Sequence, residues 1–599
     1  MEADQSPLSD SQHRQPPTGL LHQLRSSRPI RILTALICSH LLAPYAAARA
    51  CIRYSLDQRP DWPYIIAATL VISVGAVCAM RLFVKDSTAR KTRLIGLGLF
   101  LWVCVAFVML KVAVRSSAPI WWLVSWWSVG TLWVAGLVWT LAFFRSMGSV
   151  VTALITAAMA TAMWNTIQIT GLTGDAKVEI ALRKPEIPMI EIPDGISRRT
   201  ETGEVLWSGY LGSDRQGDVR GIVLNEDWKL HPPQEIWRQS CGSGWSSFAV
   251  TSTMLFSQEQ LQGQDCVTAR SLQFGELLWA ASEERPGFES GMGGNGPRAT
   301  PGLVQVDDEL LVVAVGPTGM LSCLEAATGQ LRWKADMAEL FPGENLPHGN
   351  SASPLVFGDL VVACPSAQNG PAMVAFRLAD GTVAWKADSD WRSSYASPTL
   401  VTGSTDDHGR QIVLHGSQGV LSVQADSGQL LWQFPWTNEW DNNATQPLMA
   451  GSDLVIATGY RGGVARLSIS GASVTDGKPR VLWENRRTLK TKFCNVTSFD
   501  ETLVGLDNGI LVGVNAQTGD QLWKDGRYGH GQVLKVGHHL LVIDEQGSLH
   551  LLKPDAVGQH AIAEFPVFDR KTWNHPAMAN DLLLLRNDQE MVCLKLPVN

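Results

Sequence analysis

Two kinds of hydrophobic pattern divide the chain. Up to about residue 170 the apolar residues come in long runs, at about 30–49, 63–83, 94–114, 119–144 and 148–170. From about residue 206 they come in short alternating stretches between turn residues, such as MLSCLEA (Met320–Ala326), MVAFRLA (Met373–Ala379) and VLSVQAD (Val420–Asp426). A helix needs ~20 apolar residues to cross a ~30 Å hydrocarbon core, so the long runs predict five membrane-spanning helices. The first and the fifth hold His40 and Pro44, and Asn165 and Gln168, and each fits a surface-lying segment as well. Alternation with period two predicts half-buried strands instead.

The strand region repeats itself. Gly275/Trp279, Gly329/Trp333, Gly381/Trp385, Gly428/Trp432 and Gly519/Trp523 share one spacing, Trp237 and Trp483 keep the tryptophan alone, and Phe565 fills the last slot. These aromatics recur every 40 to 54 residues. Four short strands per repeat at that period predict β-propeller blades. Glycine supplies the positive φ of the turn before each outer strand, and the aromatic anchors that strand against a neighbouring blade. The segment around Trp237 has no strands of its own, and the closing stretch Asn574–Leu596 has three strands without a fourth. Joined, they make one blade from two ends of the chain, and the ring has eight.

The phrases CLEAATGQLRW and GVNAQTGDQLW resemble the tryptophan-docking repeat of the quinoprotein-like (PQQ-like) propeller family. WSGYLGSDRQG, Trp207 to Gly217, resembles the W-x-G-F-R-G-P-N-R-D-G segment that precedes many such propellers, departing at Leu211 and Ser213. The resemblance covers about 205–599. It implies an all-β eight-bladed propeller, placed here at 206–599 after a helical bundle at 30–170 and a Pro-containing linker at 171–205. The family contains PQQ-dependent dehydrogenases and also a barrel assembly factor without a cofactor, so it fixes fold far more than activity. Membrane glucose dehydrogenases in it share the layout of five spans before a propeller.

Basic residues orient the bundle. The tail (1–29), Arg31, the second connection and Arg145 place ten Lys and Arg on one side, against five on the other. That puts the tail in the cytoplasm and the propeller on the extracytoplasmic side of a bacterial-type inner membrane. Small residues before Cys51 loosely resemble a cleavage site, spoiled by Arg49; either reading delivers the propeller outside. A net charge of −7 and basic runs no longer than Arg198-Arg199 beyond the bundle exclude nucleic-acid partners. Ten cysteines include no C-x-x-C and no adjacent pair; Cys323 and Cys593 read as small buried residues.

Candidate chemistry lies where the innermost strands begin, because those starts share one channel mouth. Aligning them gathers Trp245, Arg298, Tyr395, Asn443, Asn495, His530, Gln532, Trp573 and Asn574, with hydroxyls such as Ser247, Thr300 and Ser397. Convergent polar groups at a concave mouth are the default ligand site; amides and hydroxyls at strand starts serve equally well as backbone caps. His348 and His575 read as solvated or capping. Arg298 and His530 stand out, being bulky and polar beside glycines. The resemblance allows PQQ and Ca²⁺, but the ring is poor in the carboxylates that calcium prefers, Asp441 and Glu289 being nearest. No catalytic or metal-binding residue is assigned and no cofactor is expected. The expected role is binding or scaffolding, for an envelope protein, a peptide or a small polar ligand; the alternative is a PQQ-dependent membrane dehydrogenase.

Overall fold

The computed structural model describes residues 167–172, 178–182, 201–290, 293–366, 370–401, 409–470 and 473–599. The tail, the first four apolar runs and the fifth up to 166 lie outside the described residues. Among the described residues no helix is long and apolar enough to cross a membrane. Ile167–Leu172 and Val178–Leu182 form an antiparallel hairpin. It takes in the end of the fifth apolar run and the start of the linker, where Ile167, Ile169, Val178, Ile180 and Leu182 alternate as a paired strand requires.

Eight sheets follow, each built on four antiparallel strands. Blade 2 shows the plan: Gly302–Val306, Glu309–Val315, Met320–Glu325 and Leu331–Asp336, inner to outer. Blades 1 and 3 to 7 follow it, with inner strands at Ala249–Thr251, Leu355–Phe357, Thr399–Val401, Leu448–Ala450, Val496–Phe499 and Gln532–Val536. Blade 8 takes Ala577–Ala579, Leu582–Arg586 and Glu590–Lys595 from one end of the domain and its outer strand Gln234–Ser240 from the other. The split blade expected from the repeats closes the ring.

The core lies between blades rather than within them. Buried apolar clusters join blades 1 and 2, 2 and 3, and so on round to 6 and 7, and a larger cluster joins 7, 8 and 1. The tryptophan repeat is the polar stitch across these interfaces. Trp237, Trp279, Trp333, Trp385, Trp483 and Trp523 each donate an indole N–H to a carbonyl of the next blade: Leu272, Ala326, Leu378, Ala425, Ala516 and Asp555, at 2.7–3.1 Å. In the first five pairs a glycine three residues after that carbonyl lies under the incoming indole. A Cβ on Gly329 would stand 2.6 Å from Trp279, and one on Gly519 2.4 Å from Trp483. Each glycine therefore serves the tryptophan of the preceding blade as well as its own turn.

The two irregular copies follow from this. Blade 5 lacks the glycine turn, and Trp432 donates instead to Gln411 Oε1 of its own blade, at 3.1 Å. Blade 8 has no hairpin before its outer strand, so its neighbour Phe565 needs no N–H. There the chain runs on from Lys595 to pair Val598 with Leu224. The six propeller cysteines are free and buried, and burial pushes their thiols up to about 12.

Candidate functional site

The inner strands organise the channel in layers. One layer is a necklace at the strand starts. The backbone N–H of Ser247 donates to Thr300 Oγ1, Thr300 to Ser353 Oγ, Ser353 to Ser397 Oγ, Ser397 to Gln446 Oε1 and Gln446 to Asn495 Oδ1, at 2.9–3.3 Å. Each blade from 1 to 5 is thus capped by a side chain of the next. Gln532 continues the ring by donating to Phe493 O and Trp573 O, and Ser247 Oγ closes it on His575 O. Buried groups of this kind are costly unless bonded, and the necklace satisfies them.

Below the necklace lies the segment after Trp207. Ser208 O accepts from Leu303 of blade 2, and the Tyr210 hydroxyl accepts from Asn495 Nδ2 of blade 6 at 2.9 Å. Arg215 donates to Pro354 O (2.8 Å) and Ser353 O (3.1 Å) of blade 3. Gln216 Oε1 accepts from Met449 of blade 5, and Asp218–Val219 pairs with Lys535–Val536 of blade 7. A segment bound to blades 2, 3, 5, 6 and 7 must cross the axis. It closes this end of the channel from within. Leu211 and Arg215, at φ 63° and 55°, hold the path that the crossing demands.

Two residues before the necklace, on the other side, stand Trp245, Arg298, Ser351, Tyr395, Ala444, Phe493, His530 and Trp573, one from the approach to each blade. With loop residues they form two arcs of contacts. Trp245 and Trp573 lie 5.0 Å apart between ring centroids, Trp573 and Phe493 5.1 Å, and Phe493 and His530 5.6 Å. Lys492 Nζ is 3.4 Å from His530 Nε2 and 5.7 Å from the Tyr460 ring. On the opposite arc His348 and Tyr395 are 5.5 Å apart. Gly293 joins the arcs: its carbonyl accepts from Trp245 Nε1 at 2.6 Å, and a Cβ there would meet Arg298 and His348.

Charge in the ring is mostly positive. Lys571 Nζ lies over both Trp573 (4.4 Å) and Trp245 (5.4 Å). Arg298 lies over Phe288 and donates to Gly294 O and Gly296 O. Burial lowers its pKa to about 10. Burial, then the Arg298 charge, lowers His348 to about 4, so that imidazole is neutral at neutral pH. Burial raises the Tyr395 phenol to about 12. Glu545 is the carboxylate of the ring, accepting from the His530 backbone N–H and from Trp573 Nε1.

Of the nine residues aligned from sequence, Trp245, Arg298, Tyr395, His530 and Trp573 stand together at the mouth. Asn495 and Gln532 belong to the necklace. Asn443 and Asn574 are buried amides bonded to Gly416 O and Ser246 O. His575 is buried, its ring nitrogens 2.8 and 3.0 Å from Pro576 O and Val533 O, rather than solvated. Phe493, Tyr460, Lys492, Lys571 and Glu545 complete the ring, together with His348, which is half-buried against Tyr395 rather than solvated. Phe493 occupies the same aligned position as Trp245 and was legible; Tyr460 and Glu545 come from loops between second and third strands, where the repeat has no fixed register. Among the described residues no cluster of three or more His, Cys, Asp or Glu could hold a metal. A groove of about 460 Å³ lined by Glu201–Gly203, Asp308–Leu310, Glu325 and Ala327 lies away from the ring and gathers none of its groups.

No curated protein matches the chain. Among solved structures, BamB from Moraxella catarrhalis is 16% identical, covering 61% of this chain and 99% of its own at TM-score 0.44. A europium-containing methanol dehydrogenase is 10% identical, covering 65% and 98% at TM-score 0.46. A quinohemoprotein alcohol dehydrogenase from Comamonas testosteroni is 12% identical, covering 68% and 83% at TM-score 0.46. Residues 263–524 match the sequence model of a family described as outer membrane protein assembly factor BamB. The blades within that stretch are similar in sequence to those of this family.

Proposed function

We propose that the propeller is a binding module, held at an extracytoplasmic membrane face by the N-terminal bundle, that takes a small polar ligand or a peptide at its channel mouth. The observation that carries this reading is the pair of arcs of aromatic faces and cations, joined at Gly293, over a channel closed at its far end by the segment after Trp207. Concave sites with apolar walls and a few directed polar groups are where ligands bind. Closure of the far end leaves the mouth as the route in and out. The anchor rests on the apolar runs and the ten-to-five division of basic residues.

A calcium-linked quinone fits the mouth poorly. Lys571 already covers the faces of Trp245 and Trp573 on which a planar cofactor would stack. Glu545 already accepts two hydrogen bonds, and Asp265, the carboxylate that acts on Arg298, already accepts from Gln260 Nε2 and the Phe288 N–H. The residues therefore favour binding over dehydrogenation. The test is calorimetric titration of the full chain in detergent with a panel of anionic, neutral and cationic small molecules and short peptides. Binding of at least one probe should be lost in Trp573→Ala, which should melt within a few degrees of the wild type. A panel with no binder, or binders indifferent to Trp573, overturns the mouth as the site.

A further inference from the structure

We propose that the chemical group held by this ring is a carboxylate, with Arg298 as its principal contact; the proposal rests on the mouth being the binding site. Three cations, Arg298, Lys492 and Lys571, stand with two carboxylates, Glu545 in the ring and Asp265 at longer range from Arg298, inside a chain whose net charge is −7. The local sign is opposite to that of the molecule, which focuses anions on the mouth.

Arg298 is the group built for the contact. It makes no ion pair among the described residues; its two hydrogen bonds go to the carbonyls of Gly294 (2.9 Å) and Gly296 (3.0 Å). A guanidinium has five N–H donors in a planar fork, so donors remain that match two carboxylate oxygens side by side. The loop is shaped around it. A Cβ on Gly293 would stand 2.7 Å from Arg298 Nη2, and one on Gly294 3.2 Å from Trp245 Nε1. Gly294 and Gly296, at φ +79° and +84°, turn their carbonyls onto the guanidinium as few other residues could. Trp245, bonded to Gly293 O, sets an aromatic wall beside the fork, and Lys571 lies over that wall's face. A carboxylate on an apolar body therefore meets charge and aromatic surface together. The same group is offered by a small aromatic acid and by the free C-terminus of a polypeptide.

The experiment titrates the full chain by calorimetry with benzoate and benzamide, and with the tripeptide Gly-Gly-Phe as free acid and as C-terminal amide. Benzoate or the free-acid peptide should bind at least tenfold more tightly than its amide, and whichever binds better identifies the source. Arg298→Gln should weaken that binding about tenfold or more, the scale of a lost charge-assisted hydrogen bond, while the melting temperature holds. If that variant misfolds, Lys571→Met and raised salt serve instead, and both should weaken the acid selectively. Equal binding of acid and amide, or an acid indifferent to Arg298 and to Lys571, overturns the carboxylate. If neither acid binds while another probe binds through Trp573, the carboxylate falls and the binding site stands.

Discussion

A single glycine shows how much one position carries. Gly329 sits at φ +72°, and a Cβ there would lie 2.6 Å from the Trp279 ring. Gly329→Ala meets both the left-handed strain and the clash, and should cost about 2–4 kcal/mol in urea unfolding. Gly558 follows the carbonyl of Asp555 at the same three-residue distance, yet its nearest neighbour to an added Cβ is His560 at 3.7 Å. Gly558→Ala should stay within about 0.5 kcal/mol. Equal costs would show that neither the left-handed turn nor the indole contact makes Gly329 necessary. These glycines are recognisable from sequence as turn makers because the turn is local. Their second task was not legible, since the tryptophan they admit lies about 40–50 residues earlier. The mouth divides in the same way. Arg298 and Trp245 stand out by type at strand starts, whereas Glu545 reaches the ring from a loop whose length varies between blades.

At the scale of elements, the aligned strand starts separate into working and structural positions. Asn495 looked like its neighbours at the mouth, but its Oδ1 caps Gln446 and its Nδ2 binds the Tyr210 hydroxyl. Asn495→Ala breaks two buried hydrogen bonds and leaves their partners unpaired, at a cost of about 2–3 kcal/mol. It should leave binding at the mouth within twofold of the wild type. Loss of binding at full stability would place Asn495 in the site instead. Sequence alone could not separate the two roles, because a capping amide and a ligand-binding amide are the same residue at the same strand start. Their partners decide, and the decisive partner here is the segment after Trp207. Its resemblance to a family motif was visible, but its passage across the axis was not, because five different blades hold it.

At the scale of the whole molecule, the blade count and the split blade were legible because both are arithmetic on a repeat. Closure itself rests on six residues, Glu590–Lys595, paired with Gln234–Ser240 across the length of the domain. Arg586 seals the same seam, donating from blade 8 to Ser257 Oγ, Gln258 O and Gly242 O at 2.8–3.0 Å. The neighbouring cluster joins blades 7, 8 and 1 through Trp237, Val592 and Leu594. Each blade is buried only by its two neighbours, so an open ring loses the support of both flanking blades rather than one local sheet. Deleting residues 590–599 removes the third strand of blade 8, leaves Trp237 without its partner Cys593 and bares the edges of the remaining sheets. The truncated chain should lose its single cooperative transition in urea and elute as aggregate in size-exclusion chromatography. Arg586→Met, which keeps every strand, should retain the transition but move its midpoint down, because the buried Gly242 and Gln258 carbonyls lose their donor. A truncated chain that unfolds at the wild-type midpoint would mean that the blades stand independently and that the seam contributes nothing to the fold.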